Sequence, residues 1–337
     1  MAGFGVSILQ EGVSYNQTRE IAQQAERLHY DSFWMSDHFF FTDRPYLECW
    51  STLSSIATQT EKLRLGSLVL CNSYRHPSLL AKMAATLDVI SQGRLELGVG
   101  AGWHKEEFQA YGIPYANHSA RTGQLIEAVE MIKRLWSEES VTFEGKYYSL
   151  KNAISLPKPI QKPRPRIWIG GSSRRILRMA AENADGFNSS FPHFFVTPEE
   201  FAEKVRIADS YRSSNGRGSE GLQKSISLVV AAGENEGQVG EEFRKALNVL
   251  RRFGTRRETF QVIKRSPGKI LSIIKGYIGL DLPRFMAAGT AETCTDIIKS
   301  YIDAGATYFQ LLFPSAFIGD FRSMNIFAED VIPRFRS

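Results

Sequence analysis

Short apolar runs that are typical of buried strands alternate with amphipathic helical stretches along almost the whole chain of 337 residues. The helical stretches carry apolar residues three and four positions apart, as Leu80, Ala84 and Leu87 do. Regular strand–helix alternation predicts a parallel sheet, and eight such units favour a closed TIM (β/α)8 barrel over an open, doubly wound sheet. The predicted strands are 3–9, 32–36, 63–70, 94–100, 166–171, 185–189, 225–231 and 307–313.

The fourth predicted strand ends in Gly98, Gly100 and Gly102, directly before Trp103. The spacing Gly-x-Gly-x-Gly differs from the Gly-x-Gly-x-x-Gly dinucleotide fingerprint, which argues against an open Rossmann-like sheet. Glycine at a strand end lets a ligand approach the backbone closely, but it also serves a tight turn into a helix, here predicted over 105–111. The residues alone leave both interpretations open.

Composition and charge narrow the class of protein. The hydrophobic fraction of 43% and the charged fraction of 23% are those of a globular protein, and we expect one domain over residues 1–337. A net charge of +5 is too small to indicate a nucleic-acid partner. No apolar run is long enough to span a membrane, and the first nine residues resemble a strand rather than a secretion signal.

The three cysteines are far apart and form no Cys-x-x-Cys motif, so neither a disulfide framework nor a zinc site is expected. This pattern fits the reducing cytoplasm, which is the predicted location. The six histidines are scattered and no His-Glu-x-x-His motif occurs, so we predict no metal site.

In a barrel of this kind, the active site lies at the C-terminal ends of the strands. Asp37 and His38 follow the second predicted strand directly. The imidazole of His38 could hydrogen-bond to a planar cofactor or transfer a proton there, although a single histidine can equally be structural.

A second candidate site follows the fifth predicted strand. Gly170 and Gly171 lead into a helix start formed by Ser172, Ser173 and Arg174. Free backbone N–H groups, two hydroxyls and a guanidinium suit a phosphate group. The alternative is a serine that caps the helix beside a solvated arginine.

Other catalytic motifs are missing from the sequence: it has no Gly-x-Ser-x-Gly elbow, no P-loop and no Schiff-base lysine at a predicted strand end. A site with glycines, aromatic residues, one histidine and a phosphate-type turn favours chemistry carried out by a bound organic cofactor.

The chain resembles the bacterial luciferase-like monooxygenase superfamily from residue 3 to about residue 335, and the agreement is collinear. The resemblance implies a TIM barrel with an insertion before the last strand, which the segment 233–288 would form. The motifs that carry the resemblance are Ser36-Asp37-His38, Leu63-Arg64-Leu65-Gly66, His76-Pro77, Ala84 to Asp88, Ser91 to Arg94, Gly102-Trp103, Glu107-Phe108, Ile169 to Ser172 and Ala304-Gly305-Ala306.

The superfamily has two branches that use different cofactors. One branch uses reduced FMN, supplied by a partner reductase, to activate oxygen; the other uses the deazaflavin coenzyme F420 for hydride transfer. The Asp37-His38 pair resembles the second branch, so we predict a coenzyme F420-dependent oxidoreductase acting on a small organic substrate, with FMN-dependent monooxygenation as the alternative. A barrel that binds a flavin without catalysis is a third possibility.

The resemblance also assigns roles to residues. His38 would stabilise or protonate the reacting centre and Asp37 would orient it, while Glu107 is a further catalytic candidate that could instead cap the helix or form a salt bridge. A non-prolyl cis peptide bond is expected at Leu68–Val69, behind the cofactor ring. The predicted cofactor-binding residues are Leu68, Val69, Gly100, Ala101, Gly102, Trp103, Gly170, Gly171, Ser172, Ser173 and Arg174.

Further expectations concern partners and the outer parts of the site. By analogy with the superfamily, we expect a homodimer. A basic run at 251–275 suits the polyanionic tail of F420, or forms a solvated helix face. An apolar pocket wall or the packing of a lid would account for the aromatic residues near the strand ends, which are Phe39, Phe40, Phe41, Phe191, Phe194 and Phe195.

Overall fold

Eight parallel strands pair in a closed ring, and their order around the ring follows the chain. In a computed structural model, which describes residues 1–189, 196–216, 218, 221–253 and 286–336, these strands are β1 (Gly3–Ile8), β2 (Ser32–Met35), β3 (Arg64–Ser67), β5 (Leu95–Gly100), β8 (Arg166–Gly170), β9 (Gly186–Asn188), β10 (Gln223–Ala232) and β12 (Tyr308–Leu312). The ring closes because β12 pairs with both β10 and β1. The predicted TIM barrel is confirmed.

In the described part of the chain, four further strands lie outside the ring. β4 (Leu70–Cys71) pairs with the end of β5, and β11 (Met286–Gly289) pairs with the end of β10. β6 (Val141–Glu144) and β7 (Ser149–Ala153) form an antiparallel hairpin, which the sequence predicts over 141–150 around Glu144-Gly145-Lys146. The sequence analysis missed β11 because Met-Ala-Ala-Gly carries none of the β-branched or aromatic residues that indicate strands.

The helices cover the outside of the ring, as the apolar spacing predicts. Their starts are fixed by side-chain caps, such as the capping box of Ser14 and Gln17 and the cap that Asn117 provides. The helices are α1 (Tyr15–Arg27), α2 (Cys49–Ala57), α3 (Pro77–Ile90), α4 (Lys105–Ala110), α5 (His118–Ser137), α6 (Arg174–Asn183), α7 (Pro198–Ser214), α8 (Glu236–Phe253), α9 (Ala291–Asp303) and α10 (Arg322–Ile326).

The sequence pattern predicts one last helix over 320–335, but the helix in the structure is shorter. It consists of α10 followed by a π-helical turn over Phe327–Val331 and a 3-10 turn over Ile332–Phe335. Of the segment 233–288, which is predicted to be an insertion, the structure describes α8 and β11, and residues 254–285 lie outside the described residues. Most of the basic run at 251–275 and the aromatic residues Phe191, Phe194 and Phe195 lie outside them as well.

Three aromatic side chains fill the barrel interior below its C-terminal end. Trp34, Trp168 and Tyr308 come from separate strands and pack edge to face, with ring centroids 5.3 to 6.2 Å apart. The indole of Trp168 donates a hydrogen bond of 2.7 Å to buried Glu96. This aromatic layer fills the barrel interior, and Trp34 also forms part of the cavity wall at the C-terminal ends of the strands.

Two other sequence-based expectations concern membranes and cysteines. Within the part of the chain that the structure describes, no helix is long and apolar enough to cross a membrane. Cys49, Cys71 and Cys294 are all buried and unpaired, in agreement with the predicted lack of disulfides.

Candidate active site

A cavity of about 290 Å³ opens at the C-terminal ends of the barrel strands. This volume is near the lower limit for small-molecule sites. Strand register explains its position: Cys71, Gly100, Gly170 and Asn188 are side-by-side partners at the ends of four neighbouring strands. The cavity is therefore bounded by the strand ends at which we predicted the site.

Most of the predicted site residues line this cavity. Asp37, His38, Leu68, Val69, Gly100, Ala101, Gly102, Trp103, Gly170, Gly171, Ser172 and Ser173 all contribute to its wall. Two do not: Glu107 is fully buried behind His38, and Arg174 is exposed at the first residue of α6.

His38 is held by Glu107. Its Nδ1 lies 2.8 Å from Oε2 of Glu107, and both side chains are at least nine-tenths buried. With Nδ1 engaged, Nε2 is the ring nitrogen through which His38 can exchange a proton with a ligand. The rings of Phe41 and Trp103 lie 4.4 and 5.7 Å from the imidazole and limit its rotation.

Glu107 is the centre of a buried hydrogen-bond network. Its Oε2 also accepts from the Tyr74 hydroxyl at 2.8 Å and lies 3.1 Å from Nδ1 of His104, while its Oε1 accepts from the amides of Phe39 and Phe40. Burial alone would raise the pKa of Glu107. Hydrogen bonds from His104, His38 and the Phe39 amide outweigh burial and hold that pKa well below its usual range. The carboxylate is therefore ionised at neutral pH.

The role predicted for Asp37 is wrong. Asp37 does not orient His38; it accepts two hydrogen bonds from Arg75, at 2.7 and 2.9 Å, and a third from the Cys71 amide. Arg75 also pairs with Glu48, which caps α2. Because Arg75 binds both carboxylate oxygens of Asp37, the role of Asp37 is to anchor the loop that carries His38. The imidazole of His38 is oriented by Glu107 instead.

The atoms Nδ1 of His38, Nδ1 of His104 and Oε2 of Glu107 lie close enough together to hold a metal ion. Their separations of 2.8 and 3.1 Å are hydrogen-bond distances, and the Tyr74 hydroxyl donates to the same oxygen. This geometry is that of a hydrogen-bonded network around the carboxylate of Glu107.

The glycines of the cavity have a packing role that the sequence did not indicate. A Cβ atom on Gly100 would lie 2.7 Å from Cγ2 of Val69, and one on Gly170 would lie 2.5 Å from the same atom. These two glycines therefore accommodate the Val69 side chain. The peptide bond between Leu68 and Val69 is cis, as the resemblance implies.

Arg121, which the sequence pattern did not indicate as a site residue, lines the cavity from α5 and is only 5% exposed. Its guanidinium donates to the carbonyl oxygens of Gly102 and Ala116 and lies 4.1 Å from the centre of the Tyr115 ring. Among the residues that the structure describes, no carboxylate pairs with it. A buried cation of this kind beside a cavity suits an anionic ligand, but nothing in the local sequence distinguishes Arg121 from a surface arginine.

The start of α6 provides the second feature expected of an anion site. Ser172 and Ser173 line the cavity, and Ser173 caps the helix by accepting a 3.3 Å hydrogen bond from the Ile176 amide. The capping interpretation of this serine is therefore confirmed. Ser172, Ser173 and Arg121 line the same cavity, so they can contact one anionic group.

Comparisons with known proteins identify a family and relatives of this chain. A model of the luciferase-like monooxygenase family matches residues 1–308. An F420-dependent glucose-6-phosphate dehydrogenase from Amycolatopsis mediterranei (strain U-32) is 26% identical, with 94% of each chain covered. An FMNH2-dependent dimethylsulfone monooxygenase from Pseudomonas putida is 31% identical, over 55% of this chain and 52% of that protein.

A solved structure extends the agreement to the fold. The coenzyme F420-dependent tetrahydromethanopterin reductase from Methanopyrus kandleri superposes with a TM-score of 0.78 at 22% identity, covering 99% of each chain. The chain belongs to the luciferase-like monooxygenase family.

Proposed function

We propose that this protein is a coenzyme F420-dependent oxidoreductase that transfers a hydride between the deazaflavin and a small organic substrate. Membership of the family makes the chain a flavin- or deazaflavin-dependent oxidoreductase. The observation that carries the proposal is the buried His38–Glu107 pair at the cavity wall. The relative that spans 94% of both chains, which is F420-dependent, supports this choice of cofactor.

The residues around the cavity fit such a cofactor. Leu68–Val69 and the backbone of Gly100–Gly102 would hold the ring, while Ser172, Ser173 and Arg121 would hold a phosphate. A bound deazaflavin supplies a ring carbon that accepts or donates a hydride. The protein's part is to position the substrate, exclude water and handle the proton that accompanies the hydride.

His38 and Glu107 have distinct roles in this proposal. His38 exchanges the proton with the substrate through Nε2, and Glu107 holds Nδ1 and stabilises the imidazolium that forms. Glu107 keeps its charge at neutral pH, so only His38 changes its protonation state when the pair acts as an acid or a base.

Titration of the purified protein with F420 and with FMN, followed by absorbance and fluorescence, tests the cofactor. We expect saturable F420 binding that is at least tenfold tighter than FMN binding. Tight FMN binding without affinity for F420 would overturn the proposal.

His38→Ala tests the catalytic assignment, with His76→Asn as the control because asparagine keeps the cap that His76 provides for α3. We expect His38→Ala to lose about 10²-fold or more in kcat and the control to keep it. Full turnover by folded His38→Ala would remove His38 from catalysis.

The second candidate function is FMN-dependent monooxygenation. The dimethylsulfone monooxygenase, which is 31% identical over 190 residues, favours it. In that case a partner reductase would supply reduced FMN, and turnover would consume oxygen. Oxygen uptake with reduced FMN, measured with an electrode, distinguishes it from hydride transfer.

We also propose that the protein forms a homodimer in the cytoplasm. An exposed apolar patch supports a second copy as partner: Leu79 and Ile90 on α3 lie with Ile154, Leu156 and Ile160 of the segment that crosses this helix. Light scattering on the wild type and on Leu79→Glu tests it. Dissociation of a dimer by the substitution is expected, and a wild-type monomer would contradict the proposal.

A further inference from the structure

The hydroxyl of Tyr74 and the imidazole of His38 bind the same carboxylate oxygen. Oε2 of Glu107 accepts a hydrogen bond of 2.8 Å from the Tyr74 hydroxyl and lies 2.8 Å from Nδ1 of His38. Both distances are those of good hydrogen bonds. Tyr74 and His38 therefore compete for the lone pairs of one oxygen atom.

The fold holds Tyr74 in this place. Cys71, at the end of β4, pairs with Gly100 at the end of β5, and Tyr74 lies in the 3-10 turn that follows β4 directly. The helix α4, which carries Glu107, comes after β5. The Tyr74 ring is stacked on Phe39, with centroids 4.3 Å apart. The hydroxyl is therefore directed at Glu107 by strand pairing and ring packing.

Sharing an acceptor changes what the acceptor can do for each donor. A carboxylate beside a histidine stabilises the imidazolium, because an opposite charge favours the charged form. A second donor on the same oxygen takes part of the negative charge that faces the imidazole. The gain when His38 becomes positive is then smaller than it would be with a carboxylate bound to His38 alone.

We propose that Tyr74 is a positioning residue that acts on His38 through Glu107 and limits how tightly His38 holds a proton. This role rests on the proposed function, in which Nε2 of His38 exchanges the proton with the substrate. The Nδ1 proton stays between His38 and Glu107 throughout, so one tautomer serves both directions of the reaction. Without Tyr74, the imidazole would accept a proton from the substrate less readily at neutral pH, because it would more often be protonated already.

Tyr74 is a neutral donor. Its burial, together with the nearby Cys71 and Glu107, raises its pKa above the usual value, so the hydroxyl remains protonated over the range in which histidine titrates.

Other titratable or charged side chains around this pair, in the part of the chain that the structure describes, include Tyr46, Cys71, His104, Glu106 and Asp37 with its partner Arg75. Burial raises the pKa of Tyr46 above its usual value and the pKa of Cys71 to about 12. Nδ1 of His104 lies 3.1 Å from Oε2 of Glu107, so the titration of His104 has to be followed beside that of His38.

The test is the titration of His38, followed by NMR on the purified protein with isotope-labelled histidine and without cofactor. Loss of one signal in His38→Gln and of another in His104→Gln assigns both resonances. Because neither cofactor nor turnover is involved, the result does not depend on whether F420 or FMN is used.

Tyr74→Phe removes only the hydroxyl and keeps the ring stacking. We expect the midpoint of the His38 titration to rise by about half to one pH unit, with the Nδ1 proton signal retained. Tyr148→Phe is the matched control, because the Tyr148 hydroxyl bonds to Asn72 of the same 3-10 turn instead of Glu107. The control should leave the midpoint unchanged.

A tyrosine fluorinated beside its hydroxyl, incorporated at position 74, tests the opposite direction. Fluorine makes the hydroxyl a stronger donor and leaves the ring and the bond to Glu107 in place, so the midpoint should fall below that of the wild type. A Tyr74 that only held Glu107 in position would not produce opposite shifts.

An unchanged midpoint in either Tyr74 variant, or loss of the Nδ1 signal in Tyr74→Phe through a displaced Glu107, would overturn this role of Tyr74. Full turnover by His38→Ala would instead overturn the proposed function, and the two opposite shifts would still be observed.

Discussion

Nδ1 of His38 lies 2.8 Å from Oε2 of Glu107, although 69 residues separate the two along the chain. β2 ends just before His38, and the short helix α4 after β5 carries Glu107. The barrel brings these two strand ends to one side of the cavity. The pair therefore depends on the fold as a whole rather than on any local motif.

Glu107→Gln should lower kcat by about 10²-fold, because the amide keeps the size of the side chain but cannot stabilise a positive imidazolium. Glu106→Gln is a close control: the Glu106 side chain is 70% exposed and its nearest contact to His104 is 3.5 Å. We expect the control to keep activity within about twofold. Equal losses in both variants would contradict the assignment.

Glu107 should also contribute to stability against acid. Its folded-state pKa is lowered, so its contribution is complete above the ordinary value of 4.5 and is lost as the pH falls below that value. The free energy of unfolding, measured in urea from about pH 5.5 to about pH 3.5, should therefore fall less steeply in Glu107→Gln than in the wild type. Parallel curves would show that Glu107 has an ordinary pKa.

The barrel could be predicted from the sequence because strand and helix periods alternate over the full length. The C-terminal ends of the predicted strands then indicated that His38, Gly100 and Gly170 belong to the site. Side-chain pairing between distant elements could not be predicted in the same way. Asp37 precedes His38 in the chain and was expected to orient it, but Arg75, which is 38 residues away, takes both of its oxygens.

Arg75→Met should destabilise the protein by about 3–5 kcal/mol, because it leaves the buried carboxylate of Asp37 without its partner. Arg178→Met breaks the exposed pair between Arg178 and Glu182 and should cost less than about 1 kcal/mol. Urea unfolding of both variants measures the difference. A small effect of Arg75→Met would mean that water or another group replaces the guanidinium.

Arg121→Met should weaken binding of an anionic cofactor about tenfold or more, because charge-assisted hydrogen bonds to a buried guanidinium are strong. Arg174→Met is the comparison that shows which of the two arginines binds the anion, since Arg174 is exposed and does not line the cavity. We expect the second variant to bind within about twofold of the wild type. Fluorescence titration with F420 and FMN measures both, and the opposite ranking would restore the role that the sequence predicted for Arg174.

Gly100→Ala should destabilise the protein by about 1–3 kcal/mol, because its new methyl group would meet Cγ2 of Val69 at 2.7 Å. Val69→Ala removes that methyl group. When the two changes are combined, Val69→Ala should therefore recover most of the stability that Gly100→Ala loses. The double-mutant cycle is expected to show a coupling of about 1 kcal/mol or more.

Gly240→Ala is the control for this cycle, because nothing lies within 4 Å of its Cβ position in α8. Alanine has the higher helix propensity, so this change should stabilise the protein by up to about 1 kcal/mol. Additive effects of Gly100→Ala and Val69→Ala in urea unfolding would show that a ligand or water, rather than Val69, requires a glycine at the end of β5.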